Sequence, residues 1–219
     1  MFQKLLILKQ KNYYPKNILD IGAHHGNWTK SMMNIYPKSK YYLFEGIDYT
    51  ELNQFNNVSN VMVYKNILLN DKIEEVEWYE GRNTGDSFFK EKTHHYANSI
   101  PIKRKTIDLN SIIKINNLFC NDDNILIKID CQGAEIPILK GASSILDRTD
   151  FIILELPLFG QYNEGVPKFL EHIKYMDSIN FIPYDIVDNH YINGFNMQID
   201  MLFINRKHKF NDDVQNSLV

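Results

Sequence analysis

The sequence predicts an α/β fold built on a mostly parallel sheet, and three observations carry that expectation. Apolar segments rich in β-branched and aromatic residues recur along the chain. Stretches of helical spacing separate them. The first segment ends in a glycine-punctuated turn, Asp20-Ile21-Gly22-Ala23-His24-His25-Gly26. The 219 residues suit a single domain, 1–219, large enough to bury a core without disulfides or metals. A composition of 44% hydrophobic and 23% charged residues excludes collagenous, coiled-coil and broadly disordered chains.

The elements follow in order. Residues 1–14 carry a short apolar run, Leu5-Leu6-Ile7-Leu8, between Lys4, Lys9 and Lys11. That run is too short for a signal-peptide core or a membrane span and reads as a helix docked on the domain. Asn17 to Ile21 is the first strand, and Trp28 to Tyr36 a helix stopped by Pro37. Tyr41 to Glu45 and Val61 to Tyr64 are strands with a short helix, Glu51 to Asn56, between them, so that three βα units are expected by residue 70. Residues 73–106 change pattern: Val76 to Tyr79 and Ile100 to Thr106 flank a polar stretch, which suggests a hairpin-like insertion or lid. Ile107 to Leu118 reads as helix, Asn124 to Ile129 as a strongly apolar strand, and Ala134 to Leu146 as one helix with Pro137 in its first turn. Phe151 to Leu156 is another buried strand. Pro167 opens a helix expected to bury Phe169, Leu170, Ile173 and Met176, and Phe181 to Val187 and Gln198 to Ile204 close the chain as strands.

Charge and cysteine usage bound the function. The net charge of −3 offers no general attraction for nucleic acid or anionic lipid. Cys120 and Cys131 have neither CxxC spacing nor neighbouring histidines, which fits a reducing, cytoplasmic setting and no zinc cluster. The oligomeric state stays open.

A strand ending in Asp20-x-Gly22-x-x-x-Gly26 and leading into a helix brings backbone close to a ligand at the carboxyl edge of a sheet, where a Cβ would collide with that ligand. Glu45, at the end of the second strand, is placed to accept hydrogen bonds from ribose hydroxyls. Together they specify an adenosine-containing ligand. Asp20, Gly22, Ala23, His24, Gly26, Glu45, Asn66 and Asp130 are the candidate cofactor-binding residues. A dinucleotide site wants GxGxxG so that a diphosphate can sit on the helix N-terminus. Here histidines occupy that turn, which favours S-adenosylmethionine over NAD.

The turn just quoted, the strand end Leu43-Phe44-Glu45, and above all Ile127-Lys128-Ile129-Asp130-Cys131-Gln132-Gly133-Ala134-Glu135 with Leu139-Lys140-Gly141-Ala142 resemble the FkbM family of S-adenosylmethionine-dependent methyltransferases. The resemblance runs from about Ile18 to Asn205. Gln132 stands where the family commonly has Glu, and His24 and His25 occupy variable turn positions. The resemblance implies a Rossmann-like class I methyltransferase with a seven-stranded sheet whose last strand, Gln198 to Ile204, runs antiparallel, and helices on both faces. It also implies methyl transfer to a hydroxyl of a sugar, glycan or natural product.

In that topology the strands ending at Asp130 and Glu155 neighbour the first strand and bring both carboxylates to the crevice. Methyl transfer from a sulfonium is an in-line displacement, which a general base assists when the acceptor is an alcohol. Asp130, Glu155 and His190, read in a loop, are the candidates. Lys128 points to the same face as Asp130, either as a structural ion pair or in catalysis. Asp130 and Glu155 with Asp200 or Gln198 could also offer oxygen ligands to Mg²⁺. Gly85-Asp86-Ser87 is a candidate cover for the site, and Tyr162 a candidate stacking surface. His94 and His95, expected to point to opposite faces of a strand, receive no ligand role. Two alternatives remain: an NAD-dependent oxidoreductase, disfavoured by the missing GxGxxG, and a cofactor-binding protein of the same fold without catalysis.

Overall fold

The computed structural model describes residues 1–119, 124–159 and 163–217. Cys120 and Tyr162 therefore lie outside the described residues. Five strands form the centre of the main sheet: β1 (Asn17–Ile21), β2 (Lys40–Glu45), β3 (Val61–Lys65), β7 (Ile125–Ile129) and β8 (Thr149–Pro157). They pair in parallel, in the order β3-β2-β1-β7-β8. A long hairpin completes it, β9 (Phe181–Ile192) and β10 (Phe195–Asn205), with β10 antiparallel to both β8 and β9. The seven-stranded, mostly parallel sheet with an antiparallel last strand is the class I methyltransferase architecture that the sequence predicts.

Every residue of β1 and β7 is buried, because helices cover both faces of the sheet. On one face Leu19, Ile21, Ile127 and Ile129 pack against α3 (Leu109–Asn116), α4 (Glu135–Lys140), α5 (Ser143–Leu146) and α6 (Phe169–Ser178). On the other, Ile18, Leu126 and Ile153 meet α1 (Phe2–Gln10) and α2 (Asn27–Ile35). Leu5 and Leu8 of α1 are fully buried there, as the docked N-terminal helix requires. A final helix, α7 (Phe210–Ser217), follows β10 and was not foreseen.

The insertion is rooted in a second, three-stranded sheet, β4 (Leu68–Asn70), β6 (Ile102–Asp108) and β5 (Glu75–Trp78), in the order β4-β6-β5. The third βα unit is thus corrected: β3 leads into β4, with Asn66 at φ +59° making the turn, and not into a helix. Residues 107–108 belong to β6. The helix begins at Leu109, because the Asp108 carboxylate accepts the Ser111 N–H at 2.8 Å and caps it.

The single helix expected over 134–146 is two. At Gly141 a Cβ would lie 2.2 Å from the Asn70 carbonyl, and the Gly141 carbonyl itself accepts the Asn110 N–H, so contacts from β4 and α3 occupy the joint. In α6 the buried face is rotated from expectation: Leu170 is 59% exposed, whereas His172 is fully buried.

Candidate active site

The carboxyl ends of β1, β2 and β7 open into a crevice that is partly open to solvent. Gly22 and His24 supply one wall, Glu45 and Gly46 another, and Asp130, Cys131 and Gln132 a third. Phe44, Leu68, Leu69, Trp78 and Ile138 make an apolar floor, the kind of surface that takes a flat ring. Asn83, Thr84, Asp86 and Phe88 approach from the insertion. Ser87 Oγ donates to the Gln132 carbonyl at 3.1 Å and fastens that segment over the β7–α4 turn.

The turn after β1 is crowded by its neighbours. Gly22 has φ +76°, and a Cβ there would sit 2.0 Å from the Asp130 carbonyl oxygen. At Gly26, φ +77°, a Cβ would meet the Phe55 ring at 2.4 Å. Close approach of β1 to β7, and of the helix start to residues 50–55, by itself requires glycine at both positions. Gly26 and Ala23 stand outside the crevice wall. Asp20 is fully buried beneath the turn, where its Oδ2 accepts from Thr29 Oγ1 at 2.6 Å, and burial raises its carboxyl above the ordinary range. Its place is under the site. Asn66 is exposed behind the crevice, and its carbonyl accepts from Arg104 Nη2 at 3.2 Å.

Glu45 is 8% exposed, its Oε2 accepting the His24 N–H at 2.7 Å and its Oε1 the Ile47 N–H at 2.9 Å. These bonds aim the carboxylate while leaving each oxygen further lone pairs. Burial raises its pKa, partly offset by those N–H donors. His24 stacks on His25 at 3.8 Å, and burial followed by the His25 ring lowers its pKa, which keeps a neutral imidazole in the wall. From the insertion, Asp86, also a lining residue, accepts at Oδ1 from Gly81 N at 2.6 Å and Tyr96 Oη at 2.5 Å, while its Oδ2 is buried with no partner. An orphaned carboxylate oxygen beside the crevice is a group that a cation or donor would satisfy.

Lys128 and Asp130 share a face as expected. The Lys128 ammonium is 3.1 Å from Asp130 Oδ2 and 3.8 Å from Asp20 Oδ1. Burial opposes its charge, but the pull of Asp130 and Asp20 outweighs burial and raises the pKa, so Lys128 is a fixed cation under the turn. Glu155 does not join the crevice. It lines a smaller cavity beside it, where Oε2 accepts from Gln132 Nε2 at 2.8 Å and Gln198 Nε2 at 3.1 Å. Burial, then the carboxylates of Asp130, Asp200 and Glu135, push its pKa well up. His190 stands in β9 and not in a loop, 43% exposed, its Nε2 2.9 Å from Asp200 Oδ2, and that bond raises its pKa. It does not line the crevice.

The oxygen set considered for Mg²⁺ is not assembled, because Asp130 is engaged by Lys128, Glu155 by two glutamines and Asp200 by His190. Among the described residues no group of three or more His, Cys, Asp or Glu side chains is arranged to hold a metal ion. His94 and His95 lie in a turn with rings 3.9 Å apart, so the argument from strand alternation is corrected. No described helix is long and apolar enough to cross a membrane.

Gln132 and His172 line the site without having been candidates from sequence. Gln132, a departure from the family's common Glu, lines both the crevice and the smaller cavity beside it, on a bent segment with φ of +51° next to Gly133 at +104°. His172 carried one sequence signal, a lone imidazole on an apolar helix face.

A family model for the methyltransferase FkbM domain matches residues 20–183. No curated protein matches the sequence. Among solved structures the chain is similar to methyltransferase FkbM from Methylobacillus flagellatus KT, at 14% identity and a TM-score of 0.53, over 87% of this chain and 43% of that one. It is also similar to 1,6-didemethyltoxoflavin-N1-methyltransferase from Burkholderia thailandensis, solved with 1,6-didemethyltoxoflavin and S-adenosylhomocysteine bound, at 12% identity and a TM-score of 0.51, over 91% and 75%. At these identities the likeness shows the fold. The chain spans less than half the length of the Methylobacillus protein.

Proposed function

Because the chain belongs to the FkbM methyltransferase family, we propose that it transfers the methyl group of S-adenosylmethionine to a hydroxyl oxygen of a sugar, glycan or small natural product, as a cytoplasmic enzyme. The observation that carries the cofactor part is the set of groups lining one crevice at the carboxyl ends of β1, β2 and β7. Glu45 with its oriented carboxylate, Asp86 with an unpartnered oxygen, and the apolar side chains of Phe44, Leu69 and Ile138 all line it. That set fits S-adenosylmethionine: a diol for Glu45, a flat base for the floor, and a cationic end for Asp86.

When bound, the sulfonium supplies an electrophilic methyl group. The chain's own part is alignment and exclusion of water. Glu45, oriented by the His24 and Ile47 N–H groups, would hold the ribose. Asp130 and Gln132, at the end of β7, would bound the reacting end, with Lys128 holding Asp130 in place. Glu155 and His190 do not line the crevice, and each is engaged elsewhere, Glu155 by Gln132 and Gln198 and His190 by Asp200.

Calorimetric titration with S-adenosylhomocysteine, with NAD as the control, tests the reading. Binding of the first and not of the second is expected, and Glu45→Ala should weaken it by about 10- to 100-fold, the loss of hydrogen bonds to one charged group. Folded protein that ignores S-adenosylhomocysteine would overturn the assignment, whereas binding without methyl release to any hydroxyl acceptor would favour the non-catalytic alternative.

A further inference from the structure

The smaller cavity beside the crevice shares Gln132 with it and is partly open to solvent. Its polar lining groups are Gln132, Glu135, Glu155, Asn163, His172 and Gln198, alongside Gly133, Pro157 and Val166. His172 is fully buried on α6, with Nδ1 3.1 Å from the Lys168 carbonyl oxygen one turn back. A carbonyl only accepts, so Nδ1 carries the ring proton. Nε2 has no hydrogen-bond partner, and Glu135 Oε2 faces it at 3.7 Å, beyond hydrogen-bond reach. Glu135 is held by the N–H groups of Cys131 at 3.1 Å and Gly133 at 3.2 Å, both to Oε1, which leaves Oε2 turned toward the ring. A buried imidazole nitrogen lining this cavity, with a carboxylate facing it beyond hydrogen-bond reach and the crevice next door, is a proton acceptor without its donor.

We propose that this cavity is the subsite for the reacting hydroxyl of the acceptor and that His172 Nε2 takes its proton, an inference that rests on the O-methyl transfer reading above. The acceptor O–H donates to Nε2. As its oxygen forms a bond to the methyl carbon, the carbon–sulfur bond breaks with its electron pair going to sulfur, and the proton passes to Nε2. The imidazolium so formed faces Glu135 from α4. Glu155 from β8 shares the cavity, and on α6 itself Glu171 is tied to the Lys168 N–H of the helix cap. The three amide side chains, Gln132, Asn163 and Gln198, provide further hydrogen-bonding groups, which matches a carbohydrate with neighbouring hydroxyls better than an isolated phenol.

The test is nitrogen-15 NMR of histidine-labelled protein, with the His172 signals assigned by their absence from His172→Gln or, should that chain not fold, from His172→Asn. Calorimetry with S-adenosylhomocysteine runs in parallel. Both wild type and variant should bind it equally, and failure of wild type to bind would sink the methyltransferase reading itself. With S-adenosylhomocysteine present, Nε2 should show the unprotonated signal and move upfield on titration with methyl glycosides of glucose, galactose or mannose, or with myo-inositol. Tetrahydropyran, a ring without hydroxyls, should leave it unmoved. An Nε2 that responds to none of the polyols, or equally to tetrahydropyran, while S-adenosylhomocysteine binds, overturns the subsite and leaves the cofactor assignment standing.

Discussion

Substituting Gly22 by Ala should cost stability and ligand affinity together. The new Cβ would lie 2.0 Å from the Asp130 carbonyl oxygen and needs at least 3.0 Å, so β1 and β7 must separate by close to an ångström at their carboxyl ends. The obstacle is backbone and cannot rotate away. That displacement falls on the Asp130 N–H bond to the Ile21 carbonyl, 3.0 Å, and the Gly22 N–H bond to the Phe44 carbonyl, 2.9 Å. Holding an Ala at φ +76° costs about 1–2 kcal/mol. Leaving one buried backbone group unpaired adds about 1–3 kcal/mol, for a total of about 2–5 kcal/mol. For a chain of 219 residues this lowers Tm by about 4–20 °C. Urea unfolding of both chains, followed by calorimetry with S-adenosylhomocysteine, measures it. A loss below about 1 kcal/mol with unchanged affinity would show that the strands yield freely and that Gly22 is not required by this contact.

Two further outcomes follow from the buried charges. Glu155 has its pKa raised by burial and by Asp130, Asp200 and Glu135, so its contribution to stability is fully present below the unfolded-state value and lost as pH rises through the folded one. Glu155→Gln, which cannot ionise, should therefore gain stability relative to wild type as pH rises, read from urea midpoints across a pH series, and a difference independent of pH would contradict this. Lys128→Met strips the buried Asp20 and Asp130 of their cation and should cost about 3–5 kcal/mol. Adding Asp20→Asn should return part of that loss, whereas strictly additive costs in a double-mutant cycle would show the pair to be uncoupled.

The parallel strands were legible because burial on both faces leaves a near-continuous apolar signature, interrupted only by Lys128 in Ile125 to Ile129 and by Glu155 in Phe151 to Leu156. Glu45 and Asp130 were legible because a carboxylate ending such a strand has few places to point but the crevice. β4 was not, since three residues joined through a left-handed Asn66 carry no periodicity. The length of β9 and the setting of His190 were missed although Asn193-Gly194, with φ of +50° and +82°, is a strong hairpin signal, because the polar residues around it suggest a loop. His172 and Glu155 show the harder limit. Which side of a wall a polar group faces depends on helix rotation and on neighbours distant in sequence, Glu135 and Gln132 among them, and no local pattern encodes it.

The β5–β6 pairing sets the segment over the crevice apart from the main sheet. Trp78 sits opposite Ile102, so the chain leaves the scaffold and returns to it at adjacent points. None of the stretch between them contributes a strand to the seven-stranded sheet, and it is held down instead by a few cross-links, Ser87 to the Gln132 carbonyl, Asn163 to the Phe89 carbonyl and the Glu164 N–H to the Lys90 carbonyl. Changes in that stretch that keep these three ties can alter what reaches the crevice while the strands that carry Glu45 and Asp130 keep their register.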